Sequence, residues 1–394
     1  MLFISDRWLS HVHGAFRQGS DYGGTLFGFA AQKLIGGPVT RELVLSERPM
    51  LAILSTLLAL EYHSETVSDR LEEETQIARH MRVCVHISSD FHSITSASPS
   101  EPILAEGALG CLKQAGANLG QMLSTVLGKT LVAAGERGEH VAALLLLKAN
   151  LDARAKRNSF KVPLLDFLKC LLGTKVLKFG PSTSGKVSLE KAFKGAYVYI
   201  NHVIRLGTHE TAKASRLWAI VARGGLIALA NGHKGADLLM MICMDDKVNE
   251  ESVTYMIIQI KRDGTITYNN APSLFAAMDP DTIGLYPPGH TLKHPIIRLV
   301  MSFRSKPELL EGGKVEPTRG MNFTSYDIWC GGMDNTIYPW MSEDEPRHYL
   351  SALNICTPLS KAFNVGSKER ENVRRSRLPG FQVEGGHWNW ADVS

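Results

Sequence analysis

The chain has few of the features that mark membrane, secreted or zinc-binding proteins. No apolar run is long enough to span a bilayer, and the first residues lack the charged and then apolar pattern of a secretory signal. The six cysteines form no Cys-x2-Cys pair and have no closely paired histidines, which argues against zinc sites and against a disulfide scaffold. These absences predict an intracellular protein with no membrane segment.

Charge is also limited, because the net charge is only +4 over 394 residues. This excess permits nucleic-acid binding but does not require it. Near the C-terminus, KERENVRRSR (368–377) concentrates five cations and two acids. That segment fits a nuclear-import signal, a phosphate-contacting arm or a solvated helix face.

The segment GADLLMMICMDDKVNEESVTYMIIQIKRDG predicts two adjacent strands with polar ends. Residues 238–244 are an unbroken apolar run that follows Asp237, and residues 253–261 alternate before ending in Gln259 and Lys261. Side chains on a strand repeat every two residues, so Gln259 and Lys261 share a face. A hairpin centred near Asn249 would place Asp237 opposite Lys261 and diagonal to Gln259.

A carboxylate, an amide oxygen and an ammonium at one sheet end suit phosphodiester hydrolysis. A hard cation bound by oxygens can polarise the phosphate, while a lysine orients the nucleophile or offsets developing charge. A hairpin whose strand ends are merely polar explains the same residues.

The flanking segments predict a helix and further strands around this hairpin. TAKASRLWAIVA (211–222) has helical periodicity, and GLIALA (225–230) reads as a short strand before a turn. Upstream, GERGEHVAALLLLKANLDAR (135–154) predicts a helix with Glu139 in its first turn. An acid at that position also has a simpler role, since it stabilises the helix dipole.

Together these residues resemble the restriction-endonuclease-like PD-(D/E)xK nuclease superfamily. In that family a glutamate near the start of a helix, an aspartate opening the second strand and an acid-or-Gln-x-Lys on the third strand bind metal and catalyse cleavage. The resemblance implies that Glu139, Asp237 and Gln259 bind Mg or Mn, and that Lys261 positions the attacking water. The run over residues 131–335 also resembles uncharacterised fungal proteins, some associated with mobile elements.

Two positions depart from the family pattern. Gln259 stands where an acid is usual, which leaves two carboxylates for a divalent cation. Glu139 lies far upstream of the first strand, whereas the family helix directly precedes it, and the adjacent helix offers Glu210 as the reserve candidate. The resemblance therefore implies either a Mg- or Mn-dependent nuclease acting on DNA or a non-catalytic binding or scaffold protein on a degenerate nuclease fold.

A third hypothesis is a P-loop NTPase. GPSTSGKV (180–187) fits Gly-x4-Gly-Lys, and LLMMICMDD (238–246) could be an apolar strand that ends in a magnesium-binding acid. However, a phosphate-binding loop needs Ser or Thr directly after its Lys, and this chain has Val187 there. The nuclease interpretation is therefore favoured.

The predicted fold is α/β, with a restriction-endonuclease-like mixed central sheet flanked by helices. We expect a mainly helical N-terminal region over residues 1–130 and a nuclease-like core over 131–275, with an insertion at about 152–205. Residues 276–394 form a C-terminal extension, in which PIIRLVMSF (295–303) adds a strand to the same sheet and a basic tail follows.

Overall fold

The architecture is that of a computed structural model, which describes residues 22–62, 64, 66–89, 94–129, 137–157, 159–182, 187–206, 213–230, 232–246, 248–313 and 322–355. These residues fall into two units. Residues 22–56 and 60–117 belong to the first, and residues 118–355 belong to the second together with 57–59. Each unit is described by itself.

The first unit combines five helices with one β-hairpin in its described part. Its elements are α1 (Tyr22–Ile35), α2 (Arg41–Val44), α3 (Glu47–Leu58), α4 (Val67–Arg79), β1 (Val83–Ile87), β2 (Ile94–Ala97) and α5 (Pro102–Ala115). Helices α1 and α5 cross closely, since a Cβ added at Gly107 would lie 2.8 Å from the backbone nitrogen of Ala31. The apolar contact there includes Ala30, Ile103 and Leu104. Strands β1 and β2 pair antiparallel within this otherwise helical unit.

The second unit is built on a nine-stranded mixed sheet within its described residues. The strands are β3 (Val162–Pro163), β4 (Tyr197–Val198), β5 (His202–Arg205), β6 (Gly225–Ala228), β7 (Leu238–Cys243), β8 (Val253–Lys261), β9 (Ile296–Ser302), β10 (Leu309–Gly312) and β11 (Ser325–Gly331). The main order is β10-β11-β9-β8-β7-β4-β3, and β6 joins the sheet beside β7 with β5 beyond it.

The type of strand pairing changes at β8, in the middle of this sheet. Strands β6, β7 and β8 pair antiparallel in succession, whereas β8, β9 and β11 run parallel to one another. Every residue of β7, β9 and β11 is buried, as expected for strands that are covered on both faces. The predicted mixed α/β sheet is thus confirmed, including the strand over residues 295–303.

Helices flank the sheet of the second unit. They are α6 (Leu119–Leu127), α7 (Arg137–Arg157), α8 (Leu164–Leu172), α9 (Leu189–Ala192), α10 (Ala214–Leu217), α11 (Ala271–Ala277) and α12 (Glu345–Asn354). The start of α7 packs on β8, because a Cβ at Gly138 would lie 3.1 Å from Cγ2 of Ile260. Helix α11 covers the other face, where the carbonyl oxygen of Phe275 accepts a 2.7 Å hydrogen bond from Nη1 of Arg298.

No helix in the described ranges combines the length and apolar character needed to cross a membrane. The cysteines that the structure describes, Cys84, Cys111, Cys170, Cys243 and Cys330, are free thiols. The basic segment at 368–377 and the reserve acid Glu210 lie outside the described residues.

Candidate functional site

Asp237 opens β7 and is held through both its backbone and its side chain. Its N–H donates to the carbonyl oxygen of Ile258 at 2.8 Å, and its carbonyl oxygen accepts from the N–H of Leu229 at 2.9 Å. Its carboxylate oxygen Oδ2 accepts from the N–H of Ile260 at 2.6 Å. The side chain therefore takes the position of a main-chain acceptor where the β7–β8 ladder ends.

The register of the β7–β8 hairpin differs from the predicted one by two residues. Leu238 pairs with Ile258, so the continued register places Asp237 opposite Gln259 and diagonal to Lys261. The reason lies in the connection, where Asn249 and Ser252 form a reciprocal capping box around a short 3-10 turn. The hairpin is centred at residue 248 in place of 249, which changes each residue's partner by two positions, so the predicted pairing of Asp237 with Lys261 was wrong.

Burial sets the electrostatics of Asp237. Removal from water raises the pKa of its carboxyl group, because the charged form loses hydration. The hydrogen bond from the N–H of Ile260 and the nearby ammonium of Lys261 act in the opposite direction and lower that pKa. The net effect is a raised pKa for a partly buried carboxyl group that lies beside a cation.

At this end of the sheet, the side-chain amide oxygen of Gln259 lacks a hydrogen-bond partner among the described residues. The residue is 7% exposed, and among the described residues its Oε1 has no hydrogen-bond partner. Gln259 and Lys261 alternate with Ile258 and Ile260, so both point to the face opposite α7. Asp237, Gln259 and Lys261 are therefore brought to one end of the sheet, and we refer to them as the Asp–Gln–Lys cluster.

Glu139 lies in the first turn of α7, as predicted, but on the other face of the sheet. Its Oε2 lies 3.9 Å from Nη1 of Arg205, the last residue of β5. The registers through β6 and β7 put Arg205 on the same face as Ile258, away from Gln259. The structure thus places Glu139 beside an arginine and does not place it on the face of the Asp–Gln–Lys cluster.

Three buried polar residues that the sequence analysis did not predict lie near Glu139. Arg137, His140 and Arg205 are all at least nine-tenths buried. Burial, together with the charges of Arg205 and Arg137, lowers the pKa of His140 to about 3. His140 is therefore neutral near pH 7. The sequence signal that could have identified Arg205 is its charge at the end of an apolar strand. A charged residue that is buried there needs a partner.

The P-loop hypothesis finds no support in the segment before its Gly-rich loop. Residues Lys175–Lys178 form a 3-10 helix, whereas a P-loop follows a strand. Residues 183–186 of the loop lie outside the described residues. Val187 is 47% exposed and occupies the position where a magnesium-binding hydroxyl would be needed.

Comparison with known proteins gives a family but no function. No curated protein matches the chain, and neither does a solved structure. Residues 44–274 match the family model described as Domain of unknown function (DUF8736), and this range contains Glu139 and the whole Asp–Gln–Lys cluster. Since the match covers more than half of the 394 residues, the chain belongs to this family of unknown function.

Proposed function

We propose that the protein is a metal-dependent nuclease that hydrolyses phosphodiester bonds in DNA, on a fold of the restriction-endonuclease-like type. The chain order supports this proposal. Helix α7 is separated from β6 by β3, β4, β5 and helices α8, α9 and α10, and the antiparallel succession β6, β7 and β8 is then followed by α11 and the parallel strand β9. Asp237 opens the second of these strands and Gln-x-Lys ends the third, which are the positions that the family motif occupies.

The observation that carries the proposal is the unsatisfied Oε1 of Gln259. Leaving a buried acceptor without a partner costs about 1–3 kcal/mol, so buried polar atoms of this kind are rare in folded proteins. Within the described part of the chain nothing donates to this oxygen, and the residue is 7% exposed. A bound cation or an ordered donor would satisfy it.

The donor set fits a hard divalent cation. The carboxylate of Asp237 and the amide oxygen of Gln259 are oxygen ligands of the kind that Mg²⁺ and Mn²⁺ prefer. The described residues contain no group of three or more His, Cys, Asp or Glu that could hold a metal ion. Two protein oxygens would therefore be completed by water and substrate, as is usual for Mg²⁺.

Each side chain of the Asp–Gln–Lys cluster would then have a distinct task. When bound, the cation would polarise the phosphodiester and favour ionisation of the attacking water. Asp237 supplies negative charge at the point where the ladder ends, and Gln259 supplies a neutral oxygen. Lys261, whose ammonium acts on the Asp237 carboxylate, would orient the water or offset charge on the phosphate.

The test is cleavage of DNA by the Asp237→Asn variant. Its amide oxygen can still accept from the N–H of Ile260, so folding is preserved while the charge is lost. We expect cleavage in Mg²⁺ or Mn²⁺ to fall by at least about 100-fold, since even outer-shell changes at metal sites cost 10–100-fold. The control is Asp245→Asn, which removes an exposed carboxylate beyond the other end of β7 and should leave cleavage unchanged. Full activity in Asp237→Asn would remove this residue from the mechanism.

The second candidate is a non-catalytic binding or scaffold protein on the same fold. Two observations favour it: Gln259 replaces an acid, and Glu139 lies beside Arg205 on the opposite face. The Gln259→Glu variant discriminates, read by calorimetric titration of Mn²⁺. If the wild type does not cleave DNA and Gln259→Glu binds Mn²⁺ more tightly than the wild type, the site is a decayed nuclease site. If the affinity for Mn²⁺ is unchanged in Gln259→Glu, the positions of Asp237 and Gln259 do not suit a cation.

A further inference from the structure

The end of helix α7 places a lysine amine against the thiol of a cysteine on α8. Nζ of Lys156, in the last turn of α7, donates a 3.3 Å hydrogen bond to Sγ of Cys170. Lys156 is exposed, whereas Cys170 is a free thiol at 8% exposure. A nitrogen that becomes a nucleophile when it loses a proton therefore lies beside a sulfur that can be oxidised.

Helix packing maintains this arrangement. Helices α7 and α8 pack against each other. Phe167 and Leu171, on either side of Cys170 along α8, are 0% exposed, and Ala149 and Ala153 of α7 are 0% exposed as well. Because protein interiors are close-packed, these buried side chains hold both backbones in place. The flexible four-carbon stem of the lysine then closes the remaining gap between nitrogen and sulfur.

We propose that Cys170 and Lys156 form a reversible covalent cross-link when the protein meets a peroxide, independently of the proposed nuclease reaction. The sulfur first attacks one oxygen of hydrogen peroxide, the O–O bond breaks, and a sulfenic acid and water form. The amine of Lys156, after losing a proton to solvent, then attacks the sulfur. An S–N bond forms, and the sulfenic oxygen leaves as water. The sulfur is oxidised, the peroxide is reduced to water, and the protein loses two hydrogen atoms in total.

The adjacent amine determines which oxidation product forms at this cysteine. A sulfenic acid is reversible and condenses with a neighbouring thiol or nitrogen, whereas further oxidation to a sulfinic acid is irreversible in most proteins. Cys84 provides the contrast, because it is exposed and its Sγ donates to the carbonyl oxygen of His86 at 3.8 Å, which is not a nucleophilic nitrogen. Lys156 therefore protects Cys170 from irreversible oxidation, and an added thiol opens the S–N bond and restores both side chains.

The cross-link would join the end of α7 to α8 and close the segment between them, which includes β3. A covalent link of this kind restricts the unfolded chain and so favours the folded one. The segment would thus be held more firmly under oxidising conditions than under reducing ones.

The experiment treats the full chain with hydrogen peroxide, blocks the remaining thiols with N-ethylmaleimide, and maps tryptic peptides by mass spectrometry without reductant. We expect the peptides that contain Lys156 and Cys170 to be joined, with a mass lower by two hydrogens than the sum of the separate peptides. Trypsin should no longer cleave after Lys156. Treatment with dithiothreitol before digestion should separate the two peptides and restore that cleavage.

Two lysine variants test the role of the amine, with circular dichroism to confirm that both are folded. Lys156→Arg keeps the positive charge but replaces the amine by a guanidinium, so the joined peptide should be absent and Cys170 should proceed to sulfinic acid. Lys169→Arg is the matched control. Lys169 precedes Cys170 in sequence, but its Nζ pairs with Asp166 at 3.4 Å, so this variant should cross-link as the wild type does.

The inference is overturned if Cys170 of the wild type is converted to sulfinic acid as fast as in Lys156→Arg. It is also overturned if Cys170 stays a thiol at a peroxide concentration that oxidises Cys84. Neither result bears on DNA cleavage, so this inference and the proposed function fail separately.

Discussion

Two polar clusters lie on the same face of the central sheet and differ in how completely the fold satisfies them. One is the Arg298–Asp327 pair on β9 and β11, and the other is the Asp–Gln–Lys cluster on β7 and β8. Arg298 pairs in register with Ile257, two residues before Gln259, so the two clusters are neighbours along the strands. Arg298, Asp327 and Gln259 are buried, and the two clusters differ in their hydrogen bonding.

The Arg298–Asp327 pair is satisfied within the protein. Nε and Nη2 of Arg298 each donate to a carboxylate oxygen of Asp327 at 2.6 Å, and Nη1 donates to the carbonyl oxygen of Phe275. The rings of Phe275 and Phe323 lie 5.7 Å from the guanidinium carbon. By contrast, Oε1 of Gln259 has no partner in the described ranges. The satisfied buried pair stabilises the fold, whereas the open acceptor of Gln259 is where our proposal puts a bound cation.

The largest effect is expected from breaking the satisfied pair. Asp327→Ala leaves the Arg298 guanidinium, which is fully buried, without its carboxylate. Removal of one partner of a buried ion pair typically destabilises by about 3–5 kcal/mol, because the remaining charge is uncompensated. Urea denaturation followed by circular dichroism measures this loss for the second unit, with hydrogen exchange of β9 amides to localise it.

The control for this prediction replaces both partners at once. Arg298→Met combined with Asp327→Leu removes both charges and keeps apolar volume, so the double variant should be clearly more stable than either single variant. If Asp327→Ala costs less than about 1 kcal/mol, the pair does not maintain the fold and the contrast with the Asp–Gln–Lys cluster is lost.

An intermediate effect is expected from crowding the same pair. A Cβ at Gly313 would lie 2.6 Å from Cβ of Asp327 and 3.1 Å from Cε2 of Phe275. Gly313→Ala therefore forces Asp327 or its neighbours to move, and overpacking of this kind costs about 1–3 kcal/mol. Gly180→Ala is the matched control, because nothing lies within 4 Å of an added Cβ there. Equal thermal stability of the two variants would contradict the crowding argument.

The helices and strands of the second unit could be predicted well because the apolar pattern within each segment is enough to distinguish a helix from a strand. The helix over 135–154, the strands over 225–230, 238–244 and 253–261, and the strand over 295–303 all correspond to observed elements. Apolar periodicity sets these assignments, and it depends on few long-range contacts. The domain boundaries at 130 and 275 stay predictions, as do the nuclease fold type, the metal and the DNA partner.

What the sequence could not predict depends on turns and on packing. The hairpin register followed from the capping box of Asn249 and Ser252, which shifts the pairing by two residues. The face occupied by Glu139 depends on the close approach of Gly138 to Ile260, which only the packed structure shows. The sequence analysis gives no role to Arg298, which lies inside an apolar strand. A charge at such a position requires a buried partner on another strand.

The smallest effect on stability is expected from a substitution at Gln259. This substitution tests directly whether the Asp–Gln–Lys cluster differs from the Arg298–Asp327 pair. Gln259→Leu removes an acceptor that has no partner within the described residues, so its free energy of unfolding should equal or exceed that of the wild type. Gln76→Leu is the matched control, since Gln76 is 1% exposed and its Nε2 donates to Arg48 and Glu72 at 3.2 and 3.1 Å. That change should cost about 1–3 kcal/mol, because it removes two hydrogen bonds that the buried amide of Gln76 donates.

Thermal unfolding of both glutamine variants, combined with calorimetric titration of Mn²⁺, separates the two roles. Gln259→Leu should keep its melting temperature and lose Mn²⁺ binding, whereas Gln76→Leu should keep Mn²⁺ binding and melt at a lower temperature. A large stability loss in Gln259→Leu would mean that this amide serves the fold. The open acceptor would then carry no information about a bound cation, and the Asp–Gln–Lys cluster would differ from the Arg298–Asp327 pair only in the number of its contacts.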